Sequence, residues 1–327
     1  LEVAVLAVAG VLLAHGQISA GEMLGASQYV ILAAGFSAAI GIIQQLARSR
    51  AAAARAAQVL SQPVMTYGRR RLPRGKGQVA FRGVTVRSGG AVVLEQVDLE
   101  IPAGALVAVV GPSGSGKSVL AAVVGRLADP DEGEVLLDGV PVRNLSHDAL
   151  RKAVTYGFER PSLVGTTIAD VIAFGSRRPS SQDLVSACRA ARADTFIEHM
   201  PGGYRTPLAE APMSGGEIQR VGLARAFAHL GRVVVLDDVA SRLDTVTEQQ
   251  IAEVLTGPSF TQTRVVVAHR ASTAARADLV VWLERGRLRA TGLHEELWAY
   301  PGYRRLFGAV RAARPVSVTG HTNGKHS

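Results

Sequence analysis

Cysteine is nearly absent: Cys188 is the one thiol in 327 residues. That excludes a disulfide scaffold and any cysteine-rich zinc module, and the expected place of a lone thiol is a small buried apolar position. Aromatic residues make up only 5% of the chain, which leaves little material for stacking nucleobases and no aromatic-basic reader module. No lysine or arginine precedes Arg48, so the apolar start lacks the basic leader of a signal peptide. What is present is apolar: 47% hydrophobic against 19% charged residues rules out a wholly disordered chain. The length suits two domains, or one domain with an appendage. The net charge of +9 fits nucleic acid or the cytoplasmic side of a membrane, and the distribution of charge has to decide. The first residue is Leu1 rather than Met, as expected of a fragment or a processed product.

The apolar residues are concentrated at the start. Residues 1–14 are almost continuously apolar, but at 1.5 Å per residue they cover roughly 21 Å, short of the ~30 Å of a bilayer core. A polar, glycine-bearing turn is expected over 15–22. Residues 23–46 carry Ser27, Gln28, Ser37, Gln44 and Gln45 but no full charge, and are long enough to span once. Arg48, Arg50 and Arg55 follow, then Arg69, Arg70, Arg71, Arg74 and Lys76. A buried soluble helical hairpin and a membrane hairpin both fit this pattern. The one-sided charge favours the membrane hairpin, with Arg48 onward in the cytoplasm and the turn outside.

Residues 51–60 are alanine-rich and helical in propensity, Pro63 breaks the run, and 63–77 reads as a basic, solvated linker. From Gln78 the pattern changes to short Val/Leu/Ile runs, such as 106–110, 134–137, 233–236 and 264–267, alternating with longer helical stretches. Such alternation predicts an α/β domain with a mainly parallel sheet, here over 78–313. The tail 314–327 lacks apolar periodicity and is expected to be disordered. Its His321 and His326 are read as tail residues rather than metal ligands.

The strongest motif is Gly111-Pro112-Ser113-Gly114-Ser115-Gly116-Lys117-Ser118. It matches G-x-x-x-x-G-K-[ST] between a strand-like and a helical segment, the context a phosphate-binding P-loop requires. Glycines let backbone N–H groups close around phosphate oxygens, and the following helix N-terminus adds partial positive charge. Lys117 would reach the β- and γ-phosphates, and the Ser118 hydroxyl would ligate Mg²⁺. A buried strand ending at Asp237 supplies the second magnesium-directed group.

Further motifs make a family resemblance specific. Met213-Ser214-Gly215-Gly216-Glu217 and the residues after it resemble the signature of ATP-binding cassette (ABC) proteins. Ser241-Arg242-Leu243-Asp244 resembles the D-loop, His269 the switch histidine, and the stretch 159–168 the Q-loop, with Glu159 at the glutamine position. The resemblance covers roughly 78–310. It implies a P-loop NTPase cassette with a mainly parallel core, an antiparallel β subdomain and a helical subdomain, preceded by an α-helical membrane hairpin. It implies ATP and Mg²⁺ as cofactors. It puts Asp238, His269 and Glu159 at catalytic positions, Ser118, Asp237 and Glu159 around the metal, and Asp244 beside the nucleotide. It also gives Ser214, Gly215 and Gly216 to the γ-phosphate of a second half-transporter in a head-to-tail dimer. Residues 1–62 resemble the last two membrane helices of an ABC exporter, with four earlier helices missing. The implied location is the cell membrane, multi-pass, with the cassette in the cytoplasm, moving an unidentified cargo and binding no nucleic acid.

Three positions depart from the family pattern. Asp238 stands where exporters place the glutamate general base, and one methylene fewer retracts the carboxylate by about 1.5 Å. A base must stay within hydrogen-bond reach of its water, so slow hydrolysis is expected. Glu159 can ligate Mg²⁺ but cannot donate a hydrogen bond. Ser88 or Arg87 falls where an aromatic residue would stack on adenine, and Arg87 can offer its guanidinium plane. The expected role is ATP-driven export as the impaired half of a heterodimer. A homodimeric exporter and a soluble ABC ATPase outside transport are the alternatives. A P-loop kinase or GTPase fits less well, since the chain has no N-K-x-D run.

Overall fold

The computed structural model describes residues 2–61, 64–175, 178–239, 241, 243–257 and 260–308. Pro63, Arg242 and the tail with His321 and His326 lie outside that set. The chain divides into two units, Leu1–Thr66 and Tyr67–Ser327.

The first unit holds helices α1 (Glu2–Ala14) and α2 (Ala20–Leu60). The turn between them is shorter than the expected 15–22, because Ser19 and Glu22 build a helix start. The Glu22 N–H donates to Ser19 Oγ at 3.2 Å, and the Ser19 N–H donates to Glu22 Oε2 at 2.7 Å, a reciprocal cap of two orphan donors. The helix then absorbs the alanine-rich 51–60 stretch without a break. Leu24, Ile31, Leu32, Phe36, Ile40 and Ile43 are all exposed on it. Among the described residues no helix is long and apolar enough to cross a membrane. The span expected over 23–46 includes Ala34, Ser37, Ala38 and Ala39, whose side chains lie outside the described set.

The second unit is built on two sheets. An antiparallel sheet has the order β2-β1-β4-β5, from β1 (Val79–Ser88), β2 (Ala91–Ile101), β4 (Glu132–Leu137) and β5 (Val140–Pro141). A six-stranded sheet has the order β10-β9-β3-β8-β7-β6, from β3 (Leu106–Val110), β6 (Val154–Phe158), β7 (Val233–Asp237), β8 (Thr263–Val267), β9 (Leu279–Glu284) and β10 (Arg287–Gly292). All its pairings are parallel except β9 with β10. The central strands are mostly apolar because both faces are covered; β3 is apolar throughout, β7 up to Asp237 and β8 after Thr263 and Arg264. Along β3, Leu106, Ala108 and Val110 face one core cluster while Val107 and Val109 face the other, the period of two a strand imposes.

Helices α3 (Lys117–Val124), α4 (His147–Ala153), α5 (Ile168–Ala173), α6 (Ser181–Ala190), α7 (Asp194–Glu198), α8 (Gly215–Ala228), α9 (Thr245–Thr256), α10 (Ala271–Ala274), α11 (His294–Leu297) and α12 (Pro301–Gly308) complete the unit. Ile168, Val171, Ile172, Ala187, Cys188, Ile197 and Val221 close the helical part of the core. Cys188 is buried as expected, and burial pushes its thiol up to about 12.

The segment read as a solvated linker is not free from Tyr67 onward. The Gly68 N–H donates to Arg143 O at 3.1 Å, Arg70 N–H to Asn144 O at 2.9 Å, and Ser146 N–H to Arg70 O at 2.9 Å. Arg151 Nη2 donates to the Tyr67 hydroxyl at 2.9 Å, and the Arg126 guanidinium sits 5.0 Å from the Tyr67 ring centre. Pairing of extended backbone and a cation–π contact of this kind outweigh the solvation of the exposed arginines, so these residues belong to the second unit.

Candidate functional site

Register decides which loops meet. Val109 pairs with Val267, Val267 with Asp237, and Asp237 with Phe158. The neighbouring strands β3, β8, β7 and β6 therefore end at one edge of the sheet. The loops that leave it carry Gly111–Ser118, His269, Asp238 and Glu159. This is the carboxyl edge where open α/β sheets hold ligands.

A cleft of about 370 Å³ opens there. Its lining brings together Ser113, Gly114, Gly116, Lys117, Ser118, Glu159, Asp237, Asp238 and His269, with Val93 and Val119. Gly111 and Pro112 line a neighbouring cavity of about 620 Å³, which shares Ser113 and His269 with the cleft and has Leu306 and Phe307 on its far wall. Ser115 is buried, and among the described residues its hydroxyl oxygen has no hydrogen-bond partner.

The loop geometry follows from its glycines. Gly116 caps α3 with φ +95, and a Cβ there would meet Val93 O and Leu94 Cδ2, each at 2.7 Å. Only glycine closes this turn, and the first turn of α3 offers N–H groups that have no intrahelical acceptor. Lys117 Nζ folds back and donates to Gly111 O and Pro112 O, both at 2.9 Å. Burial lowers the Lys117 pKa against the pull of Asp238 and Asp237.

The opposite wall is acidic. Ser118 Oγ donates to Asp237 Oδ1 at 3.0 Å. Burial raises the pKa of Asp237 and of Asp238, and the Glu159 charge adds to the rise at both. Carboxylates pushed this way favour a proton or a cation nearby. Among the described residues no three His, Cys, Asp or Glu side chains converge as a metal cage. The set instead suits Mg²⁺, which takes one or two protein oxygens and completes its shell with phosphate and water. Asp238 lies in the left-handed region at φ +52, which turns its carboxylate toward His269, 3.8 Å away at Nε2.

These motifs match a known family. Residues 94–241 fit the sequence profile described as "ABC transporter". The chain carries an ABC transporter nucleotide-binding domain. It is 52% identical over 310 residues to the "ABC transporter ATP-binding protein RamA" of Streptomyces coelicolor, covering 94% of this chain and 49% of that protein. It is 36% identical over 291 residues to the "Mycobactin import ATP-binding/permease protein IrtB" of Mycolicibacterium thermoresistibile, covering 88% and 50%. It is 37% identical over 270 residues to an "ATP-dependent lipid A-core flippase" of Alkalilimnicola ehrlichii, covering 81% and 46%. The chain thus spans about half the length of these relatives. A solved bacterial Atm1-family ABC exporter with ATP bound superposes with TM-score 0.72 at 27% identity, covering 97% of this chain and 56% of that one.

Not every expected residue of this ABC ATPase domain reaches the cleft. Ser214 is the N-cap of α8: its hydroxyl accepts from the Glu217 N–H at 3.3 Å and donates to Glu217 Oε2 at 2.8 Å. Gly215 and Gly216 open the same helix, and none of the three lines the cleft. Asp244 caps α9, accepting from Val246 and Thr247 N–H at 3.0 and 2.9 Å. None of these four is among the residues that line the cleft of their own chain.

The Arg87 guanidinium is held at one edge and is not among the residues lining the cleft: its Nη2 pairs with Glu132 Oε1 at 2.6 Å, and its backbone N–H donates to Asp131 Oδ2 at 2.6 Å. Ser88 is the last residue of β1, paired with Ala91 in the hairpin. Among the described residues no Phe, Tyr or Trp lines the cleft.

Sequence reasoning passed over Gln219. It is 1% exposed on α8, and Nε2 donates to Asp238 O at 3.1 Å and to Glu159 O at 3.3 Å, with Ser241 Oγ at 3.5 Å. The signal was in the pattern: Gln219 shares its helix face with Leu223 and Ala226, both buried, so it is a polar residue on an apolar stripe.

Proposed function

We propose that this chain is the cassette end of an ATP-driven exporter and that its own site hydrolyses slowly. The observation that carries this reading is the single cleft that unites Lys117 and Ser118 with Asp237, Asp238 and His269. In it the α3 N–H groups hold phosphate, and Lys117 exchanges its two carbonyl partners for phosphate oxygens. Ser118, Asp237 and Glu159 would hold Mg²⁺, which when bound neutralises phosphate charge. His269 and Asp238 face the position of the terminal phosphate. An aspartate carboxylate is one carbon shorter than a glutamate's, so Asp238 is a poor base for the attacking water.

The signature keeps Ser214 as the N-cap of a fourteen-residue helix that opens with Gly215 and Gly216, and the N–H groups of those two glycines would face an anion in another subunit. A damaged site beside an intact signature suits the impaired half of a head-to-tail heterodimer. The first unit is read as the end of a membrane domain, on its exposed apolar residues, the one-sided arginines and relatives named as a flippase and a permease. It places the cassette in the cytoplasm.

The test of the pair is turnover with a candidate partner. Ser214→Ala should remove most ATPase activity of the pair, and Asp238→Ala should change it little. Loss of turnover in Asp238→Ala makes the aspartate a working base and defeats the asymmetric reading, and full activity of the chain alone favours a homodimer. For topology, Gln17→Cys should react with an impermeant thiol reagent on intact cells and Arg74→Cys should not; the reverse pattern inverts the orientation.

A further inference from the structure

We propose that Gln219 is the positioning residue that ties the signature helix to the acidic wall of the cleft. The inference rests on the reading of that cleft as a Mg-nucleotide site.

The argument begins with donors and acceptors. Asp238 O and Glu159 O are carbonyl oxygens and can only accept. The side-chain atom facing both at 3.1 and 3.3 Å is therefore the amide nitrogen, with its two protons. Ser241 Oγ, at 3.5 Å from the same nitrogen, itself donates to Asp238 O at 3.1 Å. One buried amide thus holds the main chain at two of the cleft's three carboxylates and reaches Ser241 in the turn that follows Asp238.

Each held point is one whose backbone decides where a carboxylate goes. Asp238 sits at φ +52, a conformation that costs energy for a non-glycine residue and persists only when its surroundings fix it. Glu159 follows the end of β6, where the sheet no longer constrains it. Its carboxylate is 3.5 Å from Arg160 Nε, and among the described residues no other side chain is paired with it to set its distance from Asp237. Gln219 lies five residues after Ser214 on a single rigid helix. A shift of the signature helix is therefore felt at Asp238 O and Glu159 O through hydrogen bonds, and a shift of the acidic wall is felt at the signature. Phosphate contacts to the α3 N–H groups and Lys117 lie on the other side of the cleft and do not pass through this amide.

The two sides predict a split that general destabilisation does not produce. In the full chain, Gln219→Met removes both donors at similar volume, and Gln219→Glu keeps the shape but replaces the amide nitrogen with an acceptor. Calorimetry with ATP in EDTA and with Mg-ATP gives two affinities for each protein. Both variants should bind ATP in EDTA within twofold of the unaltered chain and lose threefold or more of the gain that Mg²⁺ brings. Amide hydrogen exchange should quicken at 158–160 and 238–241 and stay unchanged at 112–120. An unchanged Mg²⁺ gain in both variants overturns the proposal. So does an equal loss of both affinities, which marks a merely structural residue, or an effect confined to Gln219→Glu, which marks a charge effect. If the unaltered chain binds no nucleotide, the reading of the cleft fails and this proposal fails with it.

Discussion

His269 Nε2 stands 3.8 Å from Asp238 Oδ2 although the two residues leave different strands. They meet because β7 and β8 are neighbours in register, with Asp237 opposite Val267, and because Asp238 takes a left-handed backbone.

The acidic wall should cost stability at neutral pH. Burial lifts Asp237 and Asp238 above the ordinary aspartate value of 3.8, and Glu159 adds repulsion. The folded chain then binds more protons than the unfolded chain between 3.8 and the raised values. This contribution is fully present below that window and is lost as pH rises through it. Asp238→Asn should therefore raise the melting temperature of the nucleotide-free chain at pH 7 by roughly 2–4 °C, with the difference shrinking toward pH 4. Scanning calorimetry at the two pH values checks this; a lower melting temperature at pH 7 counts against it.

Base selectivity should be weak. The Arg87 guanidinium is held by Glu132 and among the described residues no Phe, Tyr or Trp lines the cleft, so the phosphates are expected to supply most of the contact. ATP, GTP and CTP should bind within about fivefold of one another, a spread of about 1 kcal/mol, inorganic tripolyphosphate should compete, and Arg87→Ala should stay within twofold. A tenfold preference for ATP in competition binding points to an adenine pocket this account lacks.

Docking of the segment after Tyr67 can be broken at one atom. A Cβ on Gly68 would lie 2.0 Å from Asn144 O, a backbone atom that cannot swing aside. Gly68→Ala should therefore release the segment and speed trypsin cleavage at Arg69, Arg70 and Arg71 by tenfold or more. Equal cleavage rates in the two proteins return the segment to a free tether.

Much of the site was legible because P-loop chemistry is local. Eight consecutive residues fix a strand end, a turn and a helix start, and the apolar runs of β7 and β8 announce buried strands whose ends carry Asp237 and His269. What was illegible depends on distant partners. The Arg87 ion pair needs β4 beside β1, and the docking of Tyr67 needs Arg126 and Arg151. The apolar stripe of α8 marks Gln219 as an unusual polar residue, but its partners are legible only once Asp238 O and Glu159 O are seen within reach. The turn before α2 was misjudged by a few residues because the Ser19–Glu22 cap begins the helix inside a polar stretch.

The account stands on Mg-ATP binding through the P-loop, and Lys117 tests it most directly. Among the described residues it is the only lysine or arginine lining the cleft. Calorimetry on the full chain should show Lys117→Ala weakening Mg-ATP by tenfold or more, about 1.4 kcal/mol or more, with an unfolding temperature close to that of the unaltered protein. Unchanged affinity in a folded Lys117→Ala protein would contradict the phosphate site and the function built on it.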